Sequence, residues 1–361
     1  MYVKKTILIT VLNFILFLTT NLAQSSFATI LGTSHFARTI RLGNAYTGVA
    51  EGTEALFYNV AGIADSKVYG VLFSKGQGYG IFVEDVKAYD YAIVAPLPDN
   101  WGNIGLSINT LSFQFNNGNY KDNIYSLSYA KNIIDDLSIG LTTNYYYYNS
   151  SSTDISAEEP YSVSGTAFDI NLGILYEFPE LFKITNNDKF KIGFQIKNLL
   201  NSKTDYNNSF DDEPLYQNLR LGTSYKVSPN LKNVYGLNPL NLLITFDAVF
   251  IGSDYDFKIW QPNYGIELTL FELLEVSYGR ESAKEIKEVD YQSPQHPVNR
   301  YGFGLNIPLD YILELSYKVN LKFDYCISDW RQIDENNVQS EIFDIKEIDD
   351  KAFSIGLTFG F

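Results

Sequence analysis

The sequence predicts an all-β chain: a transmembrane antiparallel β-barrel of about 14 strands, with a short, partly helical N-terminal plug segment. Three observations predict it. The chain opens on an export leader, most of its length alternates apolar and polar residues over unusually long runs, and it closes on an alternating strand that ends at Phe361.

Residues 1–23 read as a signal peptide. Lys4 and Lys5 supply the positive start, Thr6 to Leu18 the apolar run, and Ala23 the small residue before a cut at Gln24. The apolar run is too short for a spanning helix. No other stretch approaches 18 uninterrupted apolar residues, so the mature chain is expected to be either soluble outside the cytoplasm or a barrel.

Residues 24–67 do not alternate; they are rich in small residues yet too hydrophobic for a linker, and are expected to plug or line the pore as a hatch. Residues 68–361 form the predicted barrel. Phe168-Asp-Ile170-Asn-Leu172-Gly-Ile174-Leu-Tyr176-Glu-Phe178 places apolar side chains on one face and Asp169, Asn171, Gly173 and Glu177 on the other. The segments beginning at Phe190, Leu219, Tyr301 and Leu313 repeat the pattern, and the last is read as one strand, 311–326. Side chains two apart share a strand face, and runs of ten or so alternating residues between turns are the sequence mark of a membrane barrel. Tight turns are expected at 132–136, 272–273 and 309–310, and Gly76-Gln-Gly78-Tyr-Gly80 reads as a hairpin turn. Longer loops are expected at 149–165, 200–216, 252–261, 282–299 and 327–350. This sorting of loop lengths puts both termini on the periplasmic side of an outer membrane. The long loops are acidic, and Asp211, Asp212, Glu213, Asp349 and Asp350 are candidate Ca²⁺ ligands, since Ca²⁺ takes clustered carboxylates. A final alternating strand with terminal Phe resembles the signal by which the outer-membrane assembly machinery recognises barrels.

The stretch Gly43-Asn-Ala-Tyr46-Thr-Gly-Val-Ala50-Glu-Gly-Thr-Glu-Ala55-Leu-Phe-Tyr-Asn59-Val-Ala61-Gly62-Ile-Ala64 resembles the N-terminal motif of the PorV/PorQ family, within the wider FadL-like superfamily. Either Arg38 or Arg41 fits the motif's leading Arg. The departures are Asn44 for a Gly, Glu51-Gly52 for paired Asp, and Val60 for a Pro, which restores a backbone donor. Phe168 to Gly173, Ile192 to Asn198, Leu219 to Tyr225, Tyr264 to Glu267 and Tyr301 to Gly304 are similar to the family's middle strands. The resemblance implies a 14-stranded barrel with an N-terminal plug. It makes Arg41, Gly43, Ala45, Tyr46, Ala50, Asn59, Ala61 and Gly62 the candidate plug or gate residues.

Composition narrows function. The net charge is −15, with no basic patch for nucleic acid. The only histidines, His35 and His296, are too far apart for a catalytic or metal site. Cys326, alone of its type, rules out an intramolecular disulfide and reads as a small strand residue. No enzyme, cofactor or metal is expected. The resemblance implies association with type IX protein secretion, docking exported proteins or machinery components at the surface. The alternative is FadL-like transport of a hydrophobic small molecule such as a long-chain fatty acid, and a passive porin is a third reading. An apolar lumen cluster beside the plug would favour transport. The lumen positions legible in the sequence (Asp169, Asn171, Gln195, Lys197 and Arg220) are polar. Besides these partners the barrel is expected to meet outer-membrane lipid.

Overall fold

A computed structural model describes residues 36–80, 83–115, 118–152, 161–178, 185, 188–207, 212–229, 231, 237–253, 255–282, 284–285, 298–330 and 348–360. The predicted signal peptide, both histidines, Asp211 and Phe361 lie outside them.

Fourteen long strands form one closed antiparallel barrel. The first half comprises β1 (Tyr69–Gly80), β2 (Val83–Pro96), β3 (Asn103–Phe115), β4 (Gly118–Ile134), β5 (Leu137–Ser152), β6 (Tyr161–Phe178) and β7 (Lys189–Lys197). The second comprises β8 (Gln217–Val227), β9 (Leu240–Ser253), β10 (Asp256–Leu270), β11 (Leu274–Glu281), β12 (Val298–Pro308), β13 (Lys318–Trp330) and β14 (Ile348–Gly360). Pairing of β1 with β14, Tyr69 opposite Phe359, closes the ring. Closure leaves no long strand edge unpaired, which hydrocarbon demands because it offers no hydrogen bonds. Among the described residues no helix is long and apolar enough to cross a membrane.

The predicted faces hold. On β6, Asp169, Asn171, Gly173 and Leu175 are buried inside, while Phe168, Ile170, Leu172 and Ile174 face out. Outward Ile104, Leu106, Ile108, Tyr125, Leu127, Tyr129, Ile139, Leu141 and Tyr145 continue the apolar band across neighbouring strands. In water so broad an apolar surface would aggregate. Phe168 to Tyr176 spans about 26 Å along the strand at ~3.3 Å per residue, comparable with the hydrocarbon band of a barrel. Replacing Ile170 with Arg is expected to cost about 2–4 kcal/mol, read by urea unfolding in lipid vesicles. Unchanged stability would mean that Ile170 does not meet lipid.

Strand ends differ from the sequence reading. β4, β5 and β6 run to 17, 16 and 18 residues and consume most of the loop expected at 149–165. Their distal parts, such as Tyr145-Tyr-Tyr-Tyr-Asn-Ser-Ser-Ser152, are aromatic or polar on both faces, so the backbone goes on pairing where hydrophobic alternation has stopped. β1 continues through Gly80, so the glycine-rich stretch is strand rather than turn. Gly252 pairs with Phe257 and Ser253 with Asp256, so most of the loop expected at 252–261 belongs to β9 and β10. The expected turn at 309–310 is the short helix α3 (Leu309–Leu313). Glu314 follows it with φ 57, and β13 starts only at Lys318. The alternation of Leu313, Leu315 and Tyr317 thus belongs to a connection. Asp349 and Asp350 lie in β14, opposite Asp329 and Ser328, not in a loop. Asp212 is exposed, and Glu213 starts the two-residue strand Glu213–Pro214. Among the described residues no group of three or more His, Cys, Asp or Glu is placed to hold a metal, so the Ca²⁺ expectation gains no support.

Candidate functional site

Residues 36–66 lie against inward side chains of the barrel. They contain α1 (Ala37–Arg41), α2 (Ala55–Tyr58) and a 3-10 turn, Val60–Asp65. Every residue from Phe36 to Ala50 is buried. Helices this short are not stable alone; the wall holds them. Phe36, Leu42, Tyr46, Leu56, Phe57 and Ile63 share one apolar cluster with wall residues Leu72, Val94, Ala130, Leu175 and Leu243. Cys326 lies in β13, a strand residue as expected, and is buried against Ala37 and Ile40.

The first polar anchor is a buried ion cluster. Arg38 and Arg41 stand three apart on α1 and so share a face. Arg38 pairs with Glu267 of β10 at 2.9 Å and with Glu51 at 2.7 Å. Arg41 pairs with Glu267 at 2.9 Å, with Asp324 of β13 at 2.9 Å and with Glu275 of β11. It also donates to Ser277 Oγ at 2.5 Å. Lys322 of β13 lies 3.7–3.8 Å from Glu54, Glu275 and Asp324. Three cations thus meet five carboxylates. The arrangement depends on β12, where a Cβ at Gly302 would come 2.9 Å from Arg41 Cδ. Partial withdrawal from water pushes the half-exposed Glu51 carboxyl up, but the Arg38 guanidinium at 2.7 Å outweighs it and holds the group at about 2. The pair's contribution is therefore complete above the ordinary carboxylate pKa and is lost only as pH falls through about 2. Burial keeps the Tyr46 phenol protonated, its pKa raised, and its hydroxyl donates to the Glu51 carbonyl at 3.2 Å.

The second anchor holds the turn after α1. Gly43 (φ 66) and Asn44 (φ 59) are both left-handed. Asn tolerates that region better than most residues, which explains how Asn44 can stand in a glycine position. Its side chain adds bonds a Gly could not: Nδ2 donates to Glu281 at 2.6 Å, and Oδ1 accepts from Tyr58 at 2.6 Å. Asp247 Oδ2 of β9 accepts from Tyr46 N (3.1 Å), Thr47 N (3.0 Å) and Thr47 Oγ1 (2.6 Å). Arg220 of β8 pairs with Asp247 at 3.3 Å, donates to the Asn44 carbonyl at 2.5 Å, and lies 4.9 Å over the Tyr58 ring.

The third anchor fixes the 3-10 turn. Asn59 Nδ2 donates to the Thr47 carbonyl (3.1 Å) and to the Ile174 carbonyl of β6 (2.9 Å). Its Oδ1 accepts from Ala61 N at 3.3 Å, serving as the cap. At the far end Asn103 of β3 donates to the carbonyls of Ile63, Ala64 (3.1 Å) and Ser66 (2.8 Å). Gly62 presses on Ala50, where a Cβ would fall 2.5 Å from the Ala50 carbonyl carbon.

Under the segment the wall is paved with glycines. A Cβ at Gly222 would stand 2.6 Å from Gly48 N, at Gly265 2.6 Å from Leu42 O, and at Gly140 2.8 Å from Ala61 N. Backbone can approach the wall this closely only where no side chain intervenes.

The candidate plug or gate residues (Arg41, Gly43, Ala45, Tyr46, Ala50, Asn59, Ala61 and Gly62) all lie buried in this segment. Sequence reading missed Asp247, Glu275, Asp324 and Asn103. Each is a polar residue at an inward position of a strand, the one signal that marks it.

Nearer the ends of the strands opposite the termini, the inner wall turns apolar. Tyr146, Tyr148, Ile124 and Ala167 cluster with Leu215 from the β7–β8 connection. Ala88, Leu111 and Phe113 form a second group, and Phe113 stacks on Tyr120 at 4.6 Å. The connection carrying Leu215 folds back along β6. Asp169 accepts from Leu200 N and Ser202 N, both at 2.9 Å, and Tyr146 donates to Asn198 Oδ1 at 2.5 Å. Between this region and the N-terminal segment lies a polar band that includes Asn171 and Gln195, which face inward as expected and are buried.

No protein-family model matches the chain, and no curated protein matches it in sequence. Solved structures share its fold. The Pseudomonas putida toluene transporter TodX is similar over 93% of this chain and 99% of its own, with TM-score 0.52 and 10% identity. The CymD monoaromatic hydrocarbon channel is similar over 92% and 99%, with TM-score 0.51 and 10% identity. A Pseudomonas aeruginosa FadL homologue is similar over 94% and 97%, at TM-score 0.47 and 9% identity. At such identities the likeness is one of fold. The chain is a closed 14-strand antiparallel barrel, and TodX and CymD share that fold.

Proposed function

We propose that the chain is an outer-membrane channel for hydrophobic small molecules, its N-terminal segment acting as the plug that closes the lumen towards the periplasm. One observation carries the reading: the inward apolar and aromatic wall of Leu111, Phe113, Tyr120, Ile124, Tyr146 and Tyr148, on the side of the lumen away from the termini. Porins that pass water-soluble solutes keep a polar lumen, whereas apolar walls shelter apolar ligands. That TodX is a toluene transporter and CymD a monoaromatic hydrocarbon channel supports the same class of cargo.

The test is the initial rate of radiolabelled toluene uptake by cells carrying the barrel in their outer membrane. Cells with the wild-type barrel are expected to take it up several-fold faster than cells with equal amounts of a Phe113→Asp/Tyr146→Asp variant. Equal rates would sink the reading. The PorV/PorQ-type role in type IX secretion, implied by the N-terminal motif, is the weaker reading. The apolar wall gives it no support, and exported proteins co-purifying in stoichiometric amounts would restore it.

A further inference from the structure

We propose that the apolar wall holds a site for organic cations, an amine or quaternary ammonium carried on an apolar body, with Asp122 as its counter-charge. The inference deepens the channel reading and rests on it in one respect, that the wall is reached from outside.

Asp122 lies on β4 with its side chain on the lumen face, in register with Leu111 of β3 on one side and Tyr148 of β5 on the other. Along its own strand its inward neighbours are Tyr120 and Ile124. All four are apolar or aromatic. Its Oδ1 is buried with no hydrogen-bond partner, while the residue as a whole keeps partial exposure. Among the described residues no Lys or Arg stands within ion-pair distance of it, in contrast to the carboxylates that hold the N-terminal segment. A carboxylate desolvated without a partner is costly, and the cost falls when a cation joins it.

The surroundings suit a particular kind of cation. Phe113 and Tyr120 are stacked at 4.6 Å, and Tyr146 and Tyr148 at 6.3 Å with their rings 8° from parallel. The two pairs flank Asp122 across β3, β4 and β5. Aromatic faces attract ammonium groups through the ring quadrupole, most strongly where water is excluded. Tyr146 is fixed by its bond to Asn198, so its ring is pre-set rather than ordered on binding. A hydrated metal ion would gain nothing from aromatic rings, and an inorganic anion would be repelled. A net charge of −15 further favours the approach of cations.

The test uses the full folded barrel in detergent and two probes, benzyltrimethylammonium, a permanent cation, and benzyl alcohol, a neutral molecule with the same ring. Calorimetric titration is expected to show preference for the cation, and Asp122→Asn is expected to reduce the ratio of the two affinities about tenfold. Leu111→Lys, which sets an internal cation beside Asp122, is expected to abolish the preference as well and serves if Asp122→Asn does not fold. Retained heat-modifiable migration in gels identifies folded variants. Wild type binding both probes equally, or a ratio untouched by both substitutions, overturns the inference and leaves the channel reading standing. If wild type binds neither probe, the apolar wall is not a ligand site and both readings fall together.

Discussion

Replacing Arg41 with Ala is expected to lower the barrel's stability by about 3–5 kcal/mol and to free the N-terminal segment. Arg41 is fully buried and joins three carboxylates on three strands, Glu267, Glu275 and Asp324. Burying such a group is itself costly, and well-packed apolar replacement of an entire buried ion cluster is often neutral or stabilising. Removing only the cation is different, because it strands acids that cannot reach water. Arg38 and Lys322 remain nearby, but Lys322 stands 3.8 Å from Asp324 and lacks the planar fork of Arg. Arg41→Lys should therefore recover only part of the loss. Arg38→Ala should cost less than Arg41→Ala, since its partner Glu51 is half-exposed. Two measurements read the effect. Denaturant unfolding in detergent gives the stability, and conductance in planar bilayers reports whether the lumen has opened. A stable variant with wild-type conductance would show that the ion cluster does not seat the segment.

The second large effect is expected at Gly279 on β11. A side chain there would meet main chain, not the movable end of a neighbour: its Cβ would lie 2.8 Å from Arg41 O and nearer still to Leu42 C and Gly43 N. Overpacking of a tight core typically costs about 1–3 kcal/mol and occasionally more. Here the turn it strikes is pinned by Asp247, Arg220 and Glu281, so the upper end applies to Gly279→Val. Gly356→Ala is the control. The one close approach of its Cβ would be to the tip of Leu72 at 3.0 Å, a side chain able to turn aside, with main chain no nearer than Val71 O at 3.6 Å. Trypsin digestion of the folded barrel separates the cases. Arg38 and Arg41 should be protected in wild type and Gly356→Ala, and cut in Gly279→Val. Protection in all three would mean that the turn can shift and that the glycine is there for another reason.

The barrel was legible because alternation is a local property. A strand turns successive side chains to opposite faces whatever its partners are, so Phe168 to Phe178 announced both the lipid face and the lumen face. Legibility failed where both faces carry the same chemistry, as in Tyr145 to Ser152, and where alternation occurs in a chain bent by α3, as in Leu313 to Tyr317. The N-terminal motif was legible as a unit, and its small residues, Ala50, Ala61 and Gly62, marked it as closely packed. What holds it was not. Arg41 and Asp324 are 283 residues apart, and Thr47 and Asp247 200. No spacing in the sequence pairs such residues; they meet because closing fourteen strands sets β9, β11 and β13 around one lumen. The wall glycines show the same division. The sequence by itself determined that every second residue of a strand faces inward and that some of those residues are Gly; only the tertiary structure decided which of them touch the backbone of the N-terminal segment, because contact depends on where the closed barrel places each strand and not on the strand itself.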